Sequence, residues 1–201
     1  MNLYFRLAYA ICVGFIAEAL DHRHQLVSRY RVWPHDLDAF GHMNNGRYLQ
    51  IMDVARAEWM SRVGVVNCMW QNRWTAVLGG GCIRFQSSLK PFQRYQVRTR
   101  LLSWDDRWWF LEHAFLDGRG QLVATGISRA ALRSGAKWVP SPAVVEKLQP
   151  GATAPPLPDF VRNWLTVEHD MWHHSDGQDP APENSNNSET DQQANEAITQ
   201  K

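Results

Sequence analysis

Cysteine is scarce in this chain of 201 residues, which contains only Cys12, Cys68 and Cys82. Their number is odd and no two of them form a C-x-x-C pair, so a disulfide framework and a cysteine-rich zinc site are excluded. This usage is typical of a reducing compartment, and we expect a cytoplasmic protein. Because 44% of the residues are hydrophobic and 20% are charged, the chain is long enough for one domain with a full core.

Dense blocks of one charge are also missing. The chain has 21 basic and 20 acidic residues, and residues 176–201 hold six of the acids and a single base, Lys201. The remainder therefore carries a net charge of +6. Such a mildly basic body suits small anionic substrates that carry phosphates, whereas a nucleic-acid-binding protein needs clustered lysines and arginines. We expect no nucleic-acid partner.

Long apolar runs are confined to residues 1–20, MNLYFRLAYAICVGFIAEAL. A cleaved secretory signal needs an apolar stretch of about 7 to 15 residues, which residues 7–17 would supply. A membrane-spanning helix needs about 20 apolar residues, and Arg6 and Glu18 shorten this run. The third interpretation, which we favour, is a helix over residues 1–24 that packs on the domain or contacts a membrane surface through residues 1–20.

Hydrophobic periodicity changes from helical to strand-like along the middle of the chain. After a short alternating segment at residues 29–34, apolar residues recur at helical spacing, with Asn44 or Asn45 as the N-cap and Gly64 as the stop. Beyond this helix the period becomes two, which indicates antiparallel strands. The helical stripe consists of Tyr48, Ile51, Met52, Ala55 and Trp59, and strands are predicted at residues 82–89, 94–104, 108–116 and 122–133.

One strand, one long helix and four further strands in hairpin order predict an α+β domain over residues 25–150. Its antiparallel sheet of about five strands would wrap around the single helix. Because a single central helix rarely covers such a sheet completely, we expect a homodimer or homotetramer with edge strands paired across subunits. Residues 151–173 are predicted as a linker and a C-terminal helix that begins at Asp159, and the polar residues 174–201 as a disordered tail.

The densest cluster of reactive side chains lies between residues 35 and 45, immediately before the long helix. A carboxylate there can do acid/base or nucleophilic work, and the unpaired N–H groups of the first helical turn can receive a developing oxyanion. Asp and Asn are also the favoured residues of turns and N-caps, so structural capping stays open beside catalysis. The histidines of this segment lack the i, i+4 spacing of a helical metal site, and we predict no metal ion and no cofactor. The cluster comprises His35, Asp36, Asp38, His42, Asn44 and Asn45.

The run from Asp36 to Tyr48, DLDAFGHMNNGRY, resembles the D-x-D-x-x-G-H-x-N-N-x-x-Y signature of hotdog-fold acyl thioesterases, a group that includes 4-hydroxybenzoyl-CoA thioesterase-like enzymes. Further stretches between residues 88 and 106 resemble the branch that contains thioesterase superfamily member six and its bacterial relatives. The similarity spans about residues 29–165. It implies a hotdog fold and the hydrolysis of an acyl-CoA thioester to a free acid and CoA.

The resemblance places the catalytic carboxylate at Asp38, which would activate a water or attack the carbonyl itself. His42 matches a histidine of the plant acyl-ACP thioesterases, which are part of this group. Asn45 lies where some relatives have a histidine or tyrosine near the thioester. Backbone N–H groups around residues 44–47 would polarise the thioester oxygen. At Phe40 the sequence departs from the plant enzymes, which have an asparagine there. The predicted catalytic residues are thus Asp38, His42 and Asn45, and the predicted substrate-binding residues are Asp36, Asn44 and Tyr48.

Two other functions stay open beside thioester hydrolysis. A hotdog dehydratase or hydratase acts on the acyl chain with a histidine and an acid, which His42 and Asp38 would supply. A non-catalytic acyl-CoA or lipid-binding module would also keep these residues. For a hydrolase, the acyl chain would enter an apolar slot between helix and sheet, although each candidate taken singly is more often a core residue. The candidates for its lining are Tyr48, Met52, Trp59, Phe85, Trp108 and Phe110.

Overall fold

The computed structural model describes residues 3–16, 20–21 and 23–175. The chain divides into two compact units, Met1–Pro158 and Asp159–Lys201. Of the predicted polar tail over residues 174–201, only residues 174 and 175 lie within the described part, at the end of the last helix. In chain order the elements are α1 Leu3–Ile16, β1 Leu26–Arg31, a 3₁₀ turn Pro34–Asp36, α2 Asn45–Arg62, α3 Val65–Asn72, β2 Thr75–Phe85, β3 Arg94–Trp104, β4 Trp109–Asp117, β5 Leu122–Ser134, β6 Lys137–Val139, α4 Ser141–Leu148 and α5 Asp159–Ser175.

Helix α2 is the long helix that the periodicity predicts. All five residues of its apolar stripe are buried, and Asn44 is the N-cap, with Oδ1 accepting a hydrogen bond from the Gly46 N–H at 2.8 Å. The helix ends at Arg62, two residues before the predicted stop at Gly64. Gly64 has a φ of 86°, a left-handed conformation that favours glycine, and there the chain turns directly into α3, which the sequence analysis did not predict.

The described residues form one antiparallel sheet of six strands, in the order β1-β3-β4-β5-β2, with the short β6 paired to β5. The predicted strands at 94–104, 108–116 and 122–133 agree with β3, β4 and β5 to within one residue. The predicted strand at 82–89 overlaps β2 only at residues 82–85, because β2 runs from Thr75 to Phe85. Gly80 and Gly81 of this strand pair with β5, next to a bulge between Leu78 and Gly80.

The core lies between α2 and the concave face of the sheet. Tyr48 of α2 contacts Phe115 of β4, with ring centroids 5.1 Å apart. Met52 lies so close to β5 that a Cβ added at Gly126 would fall 2.5 Å from its Sδ. This close packing corrects the expectation of an acyl slot between helix and sheet, since four of its candidates are core residues that are at most 2% exposed. They are Tyr48, Met52, Trp59 and Phe110.

Helix α1 packs against α2. At the crossing, a Cβ added at Gly14 would lie 2.3 Å from the Cβ of Ser61, so glycine permits the close approach. The packed side of α1 also buries Ala10, while Tyr4 and Phe5 on the other side are 77% and 68% exposed. None of the helices in the described residues is long and apolar enough to cross a membrane. Of the apolar run, residues 3–16 thus form a helix that packs on α2, and residues 1–2 and 17–19 lie outside the described part.

Candidate active site

Asp38 lies in a tight turn that leads into α2. Its Oδ1 accepts hydrogen bonds from the backbone N–H groups of Phe40 at 2.9 Å and His42 at 3.2 Å. The turn is closed by the Asp38 N–H, which donates to the His42 carbonyl at 2.9 Å, and Gly41 supplies the positive φ of 74° that it requires. Among the described residues nothing donates a hydrogen bond to Oδ2. The half-buried carboxylate is thus held by one oxygen and has the other available.

Asp36 is placed quite differently, although only one residue separates it from Asp38. Its side chain is 1% exposed, and Oδ2 accepts hydrogen bonds from Arg6 Nη2 at 2.7 Å and from the Trp33 N–H at 2.9 Å. Oδ1 makes no hydrogen bond with the described residues and lies 3.7 Å from Arg47 Nε. The sequence predicts that Asp36 contacts substrate, whereas its carboxylate is buried and paired with groups of the protein itself.

The N-terminus of α2 supplies backbone N–H groups, most of which already have acceptors. The Asn44 N–H donates to the Asp36 carbonyl at 2.9 Å, and the Arg47 N–H donates to the Asn44 carbonyl at 2.9 Å. The Gly46 N–H is taken by the Asn44 side chain. Within the described part of the chain, the N–H of Asn45 has no acceptor. Of the predicted oxyanion donors around residues 44–47, the backbone N–H of Asn45 is therefore the one that is available to a ligand.

A cleft of about 200 Å³ opens at this end of α2. Asn45 lies on its wall, and Tyr48 makes an edge contact with Phe85 there, with ring centroids 5.1 Å apart. Burial raises the pKa of Tyr48, against a smaller opposing effect of a hydrogen bond with the Leu89 backbone, so its phenol is neutral near pH 7. Asp38 does not line the cleft of its own chain. The lining residues are Met43, Asn45, Tyr48, Phe85, Gln86, Ser87 and Ser88.

His42 contributes to the site through its backbone. Its N–H and carbonyl both bond to Asp38, whereas its half-buried imidazole makes no hydrogen bond with any residue that the structure describes. The geometry thus does not bring the ring of His42 onto the carboxylate of Asp38. In residues 3–16, 20–21 and 23–175, no group of three or more His, Cys, Asp or Glu side chains could hold a metal ion.

Sequence reasoning missed two parts of this arrangement. Arg6 counted only as a charge that shortens an apolar run, yet its guanidinium pairs with Asp36 and is 4% exposed. Gln86 and Ser87 line the cleft because they directly follow β2, whose end the sequence analysis placed at residue 89 instead of Phe85. The isolated arginine within the apolar run was the signal for the ion pair with Asp36, because a buried guanidinium needs a carboxylate partner.

A match to a known protein family decides the assignment. The family described as the thioesterase-like superfamily matches residues 32–165. The chain belongs to this superfamily. The resemblance to the branch of thioesterase superfamily member six is also confirmed: Protein THEM6 of Xenopus laevis is 33% identical over 135 residues, which cover 67% of this chain and 64% of that protein. The chain thus spans less than two thirds of the length of this relative.

Solved structures of proteins named as thioesterases share the fold. The probable thioesterase YbaW from Escherichia coli superposes with a TM-score of 0.57 at 16% identity and covers 62% of this chain and 96% of its own. The BH1999 gentisyl-coenzyme A thioesterase superposes with a TM-score of 0.55 at 22% identity, over 61% and 98% of the two chains. The predicted α+β hotdog fold is confirmed.

Proposed function

We propose that this chain hydrolyses an acyl-CoA thioester to a free acid and CoA, with Asp38 as the catalytic carboxylate. The geometry of the Asp38 turn carries the proposal, because two backbone N–H groups hold Oδ1 while Oδ2 has no donor among the described residues. A carboxylate fixed through one oxygen presents the other in a defined direction, so little ordering is needed during the reaction. The names of YbaW and BH1999 as thioesterases support the same reaction class.

In the first version of the reaction, Asp38 acts as a general base. Its Oδ2 takes a proton from a water whose oxygen bonds to the thioester carbonyl carbon. The negative charge that develops on the carbonyl oxygen is stabilised by the N–H of Asn45, at the positive end of the α2 dipole. Because Asp38 does not line the cleft on which Asn45 of the same chain lies, we assign this Asn45 to the second copy of a homodimer. The carbon–sulfur bond then breaks, and the CoA thiolate takes up the proton that Asp38 holds and leaves as the thiol.

In the second version, Asp38 Oδ2 attacks the carbonyl carbon, expels CoA thiolate and forms a mixed anhydride that water hydrolyses. A single turnover with enzyme in excess in H₂¹⁸O detects an anhydride that water opens at the Asp38 carbon; opening at the acyl carbon labels only the acid, as general-base catalysis does. General-base catalysis incorporates one ¹⁸O into the acid product and none into the protein. Water attack on the Asp38 carbon of an anhydride would instead label the peptide that contains Asp38.

The experiment that tests the function replaces Asp38 with asparagine, which keeps an oxygen for the two turn hydrogen bonds and removes the charge. Thiol release is measured on a panel of aliphatic and aromatic acyl-CoAs. We expect Asp38→Asn to lower kcat by about 100-fold or more. Asp53 is an exposed carboxylate on α2 that pairs with Arg56. The matched control is Asp53→Asn, and this variant should retain activity. Full turnover by Asp38→Asn would contradict the proposal.

The same assay separates thioester hydrolysis from the other two functions. A hydratase or dehydratase leaves the thioester intact, so it would change the acyl chain without releasing thiol. An acyl-CoA-binding module would bind the ligand and release nothing. Production of thiol and acid in equal amounts is therefore the expected result, and either of the other patterns would replace hydrolysis with the corresponding function.

We also propose that the working unit is a homodimer joined through β2. This strand ends the described sheet on one side, and Leu78 and Phe85 along it are 51% and 40% exposed. A long, exposed, apolar edge strand invites pairing with another strand. Phe85 at the end of β2 and the residues Gln86, Ser87 and Ser88 that follow it line the cleft, so a second copy on this edge would lie beside the cleft and supply a further wall.

A peripheral membrane contact through α1 is a further part of the proposal. One side of this helix packs on α2, and the other exposes Tyr4, Phe5 and Tyr9, which are 77%, 68% and 67% exposed. Aromatic side chains on one face of a surface helix favour the interface of a lipid bilayer. Such a contact would place the cleft close to membrane-dissolved acyl substrates.

A further inference from the structure

A buried ion pair connects the N-terminal helix to the turn that carries Asp38. Arg6 is the single basic residue of α1, and its Nη2 lies 2.7 Å from Asp36 Oδ2. The two side chains are 4% and 1% exposed. Because 30 residues separate them along the chain, the pair exists only when α1 is packed on the domain.

Asp36 in turn anchors both ends of the segment that contains Asp38. Its Oδ2 also accepts from the N–H of Trp33, before the segment, and its carbonyl accepts from the N–H of Asn44, at the far end. Between these points a bridge joins Leu37 to Met43. The loop closed in this way holds Asp38 in its middle and delivers Asn44 as the N-cap of α2.

Removal of one partner of such a pair has a specific consequence. A carboxylate that is 1% exposed and loses its guanidinium must gain water, take up a proton or move. His35 Nε2 at 3.5 Å and Arg47 Nε at 3.7 Å from Oδ1 make no hydrogen bond with it, so neither replaces the guanidinium of Arg6 without movement. Movement of Asp36 changes the backbone of the loop, because its carbonyl accepts from the Asn44 N–H, and with it the direction of the Asp38 carboxylate.

We propose that Arg6 is a positioning residue for the reaction, and that α1 is therefore part of the catalytic unit as well as a surface helix. Arg6 does not touch the cleft, and it acts through Asp36 on the geometry of Asp38 and of the α2 N-terminus. The effect on turnover rests on the proposed thioesterase function. The coupling of α1 to the loop does not, and it can be measured without substrate.

The test compares Arg6→Met with Arg6→Lys in the full chain. Arg6→Met keeps the aliphatic stem and removes the charge, and we expect kcat to fall by about 10-fold to 100-fold with KM nearly unchanged, because a small displacement of a catalytic group has this effect. Arg6→Lys keeps the charge and should lose less. Hydrogen exchange followed by mass spectrometry should show faster exchange in the peptide over residues 36–44 of Arg6→Met. If that variant does not fold, Arg6→Lys supplies the same comparison with wild type.

Two controls separate positioning from general loosening of α1. Cys12→Ser changes an exposed residue of α1 and should leave kcat and exchange unchanged. Gly14→Ala crowds Ser61 near the C-terminal end of α1 and keeps the Arg6 side chain near the other end, so it should increase exchange in the last turns of α1 more than in the loop. Equal loop exchange in Gly14→Ala and Arg6→Met would overturn a specific role for the ion pair.

The double variant Arg6→Met/Asp36→Asn provides the most direct test. It removes both buried charges and keeps a side-chain oxygen to accept from Trp33, so it should exceed Arg6→Met in kcat by several-fold and recover protection of residues 36–44. No recovery, or an unchanged kcat and exchange in Arg6→Met, would overturn the inference. If wild type releases no thiol from any acyl-CoA, the proposed function fails, and the exchange data still decide whether Arg6 orders the loop.

Discussion

The imidazole of His113 lies 3.1 Å from the hydroxyl of Ser128, measured from Nε2 to Oγ, in the buried centre of the sheet. Its other nitrogen, Nδ1, lies 3.1 Å from Thr99 Oγ1, so one ring connects β3, β4 and β5. Burial lowers the pKa of His113 to about 3, and the charge of Arg56 adds to the shift. The ring is therefore neutral at physiological pH and serves as a hydrogen-bonding element of the core.

The first prediction concerns acid stability. An unfolded histidine titrates near pH 6.5, so between about pH 6.5 and pH 3 the unfolded state binds more protons than the folded state. The contribution of His113 is complete above this window and is lost as the pH falls through it, by about 2 kcal/mol between pH 7 and pH 5. Urea unfolding at both pH values measures the loss, which should be smaller by this amount in His113→Gln. Equal losses in the two proteins would contradict the prediction.

The second prediction concerns the cap of α2. Asn44→Ala removes the acceptor of the Gly46 N–H and should lower the free energy of unfolding by about 1 kcal/mol. Asn44→Asp keeps an acceptor at the positive end of the helix dipole and should be close to wild type. Chemical denaturation of the three proteins provides the comparison. An alanine variant as stable as the aspartate variant would show that the cap contributes nothing.

The third prediction concerns the β2 edge. Leu78→Lys adds a charge to the exposed edge strand, and in a dimer paired through β2 it would bring two lysines near the interface. We expect its molar mass by light scattering to fall from that of two chains to that of one. Leu122→Lys, at a similarly exposed leucine at the start of β5, is the control and should remain dimeric. A dimeric Leu78→Lys would place the interface elsewhere.

The fourth prediction concerns membrane association. Replacement of Tyr4, Phe5 and Tyr9 by serine should reduce co-sedimentation with vesicles of phosphatidylcholine and an anionic phospholipid several-fold, because the exposed aromatic face of α1 is lost. Trp70→Ser removes an aromatic residue of α3 that is 86% exposed and should not change binding. Equal binding of wild type and the triple variant would remove α1 as the contact.

Helices and strands were predictable where their pattern depends only on residues that are close together in the chain. The helical stripe of α2 and the alternation in β3, where Tyr95 and Val97 are buried and Arg94 and Arg98 are exposed, follow from side-chain periods of 3.6 and 2. The start of β2 was missed because the glycines at its centre weaken the pattern, and their partner is β5. Position 79 has room only for glycine, because the Trp108 ring occupies the space that a side chain would fill, and no local pattern reveals this contact.

The sequence by itself determined the family, the central helix, most of the sheet and the acidic segment before α2, because each depends on residue types at short, regular spacing. Only the tertiary structure decided that Asp36 is buried and paired while Asp38 keeps an available oxygen. Two acids so close in sequence have the same local signal. Their difference arises from Arg6, which reaches Asp36 from another helix, and burial depends on elements that meet only when the chain folds.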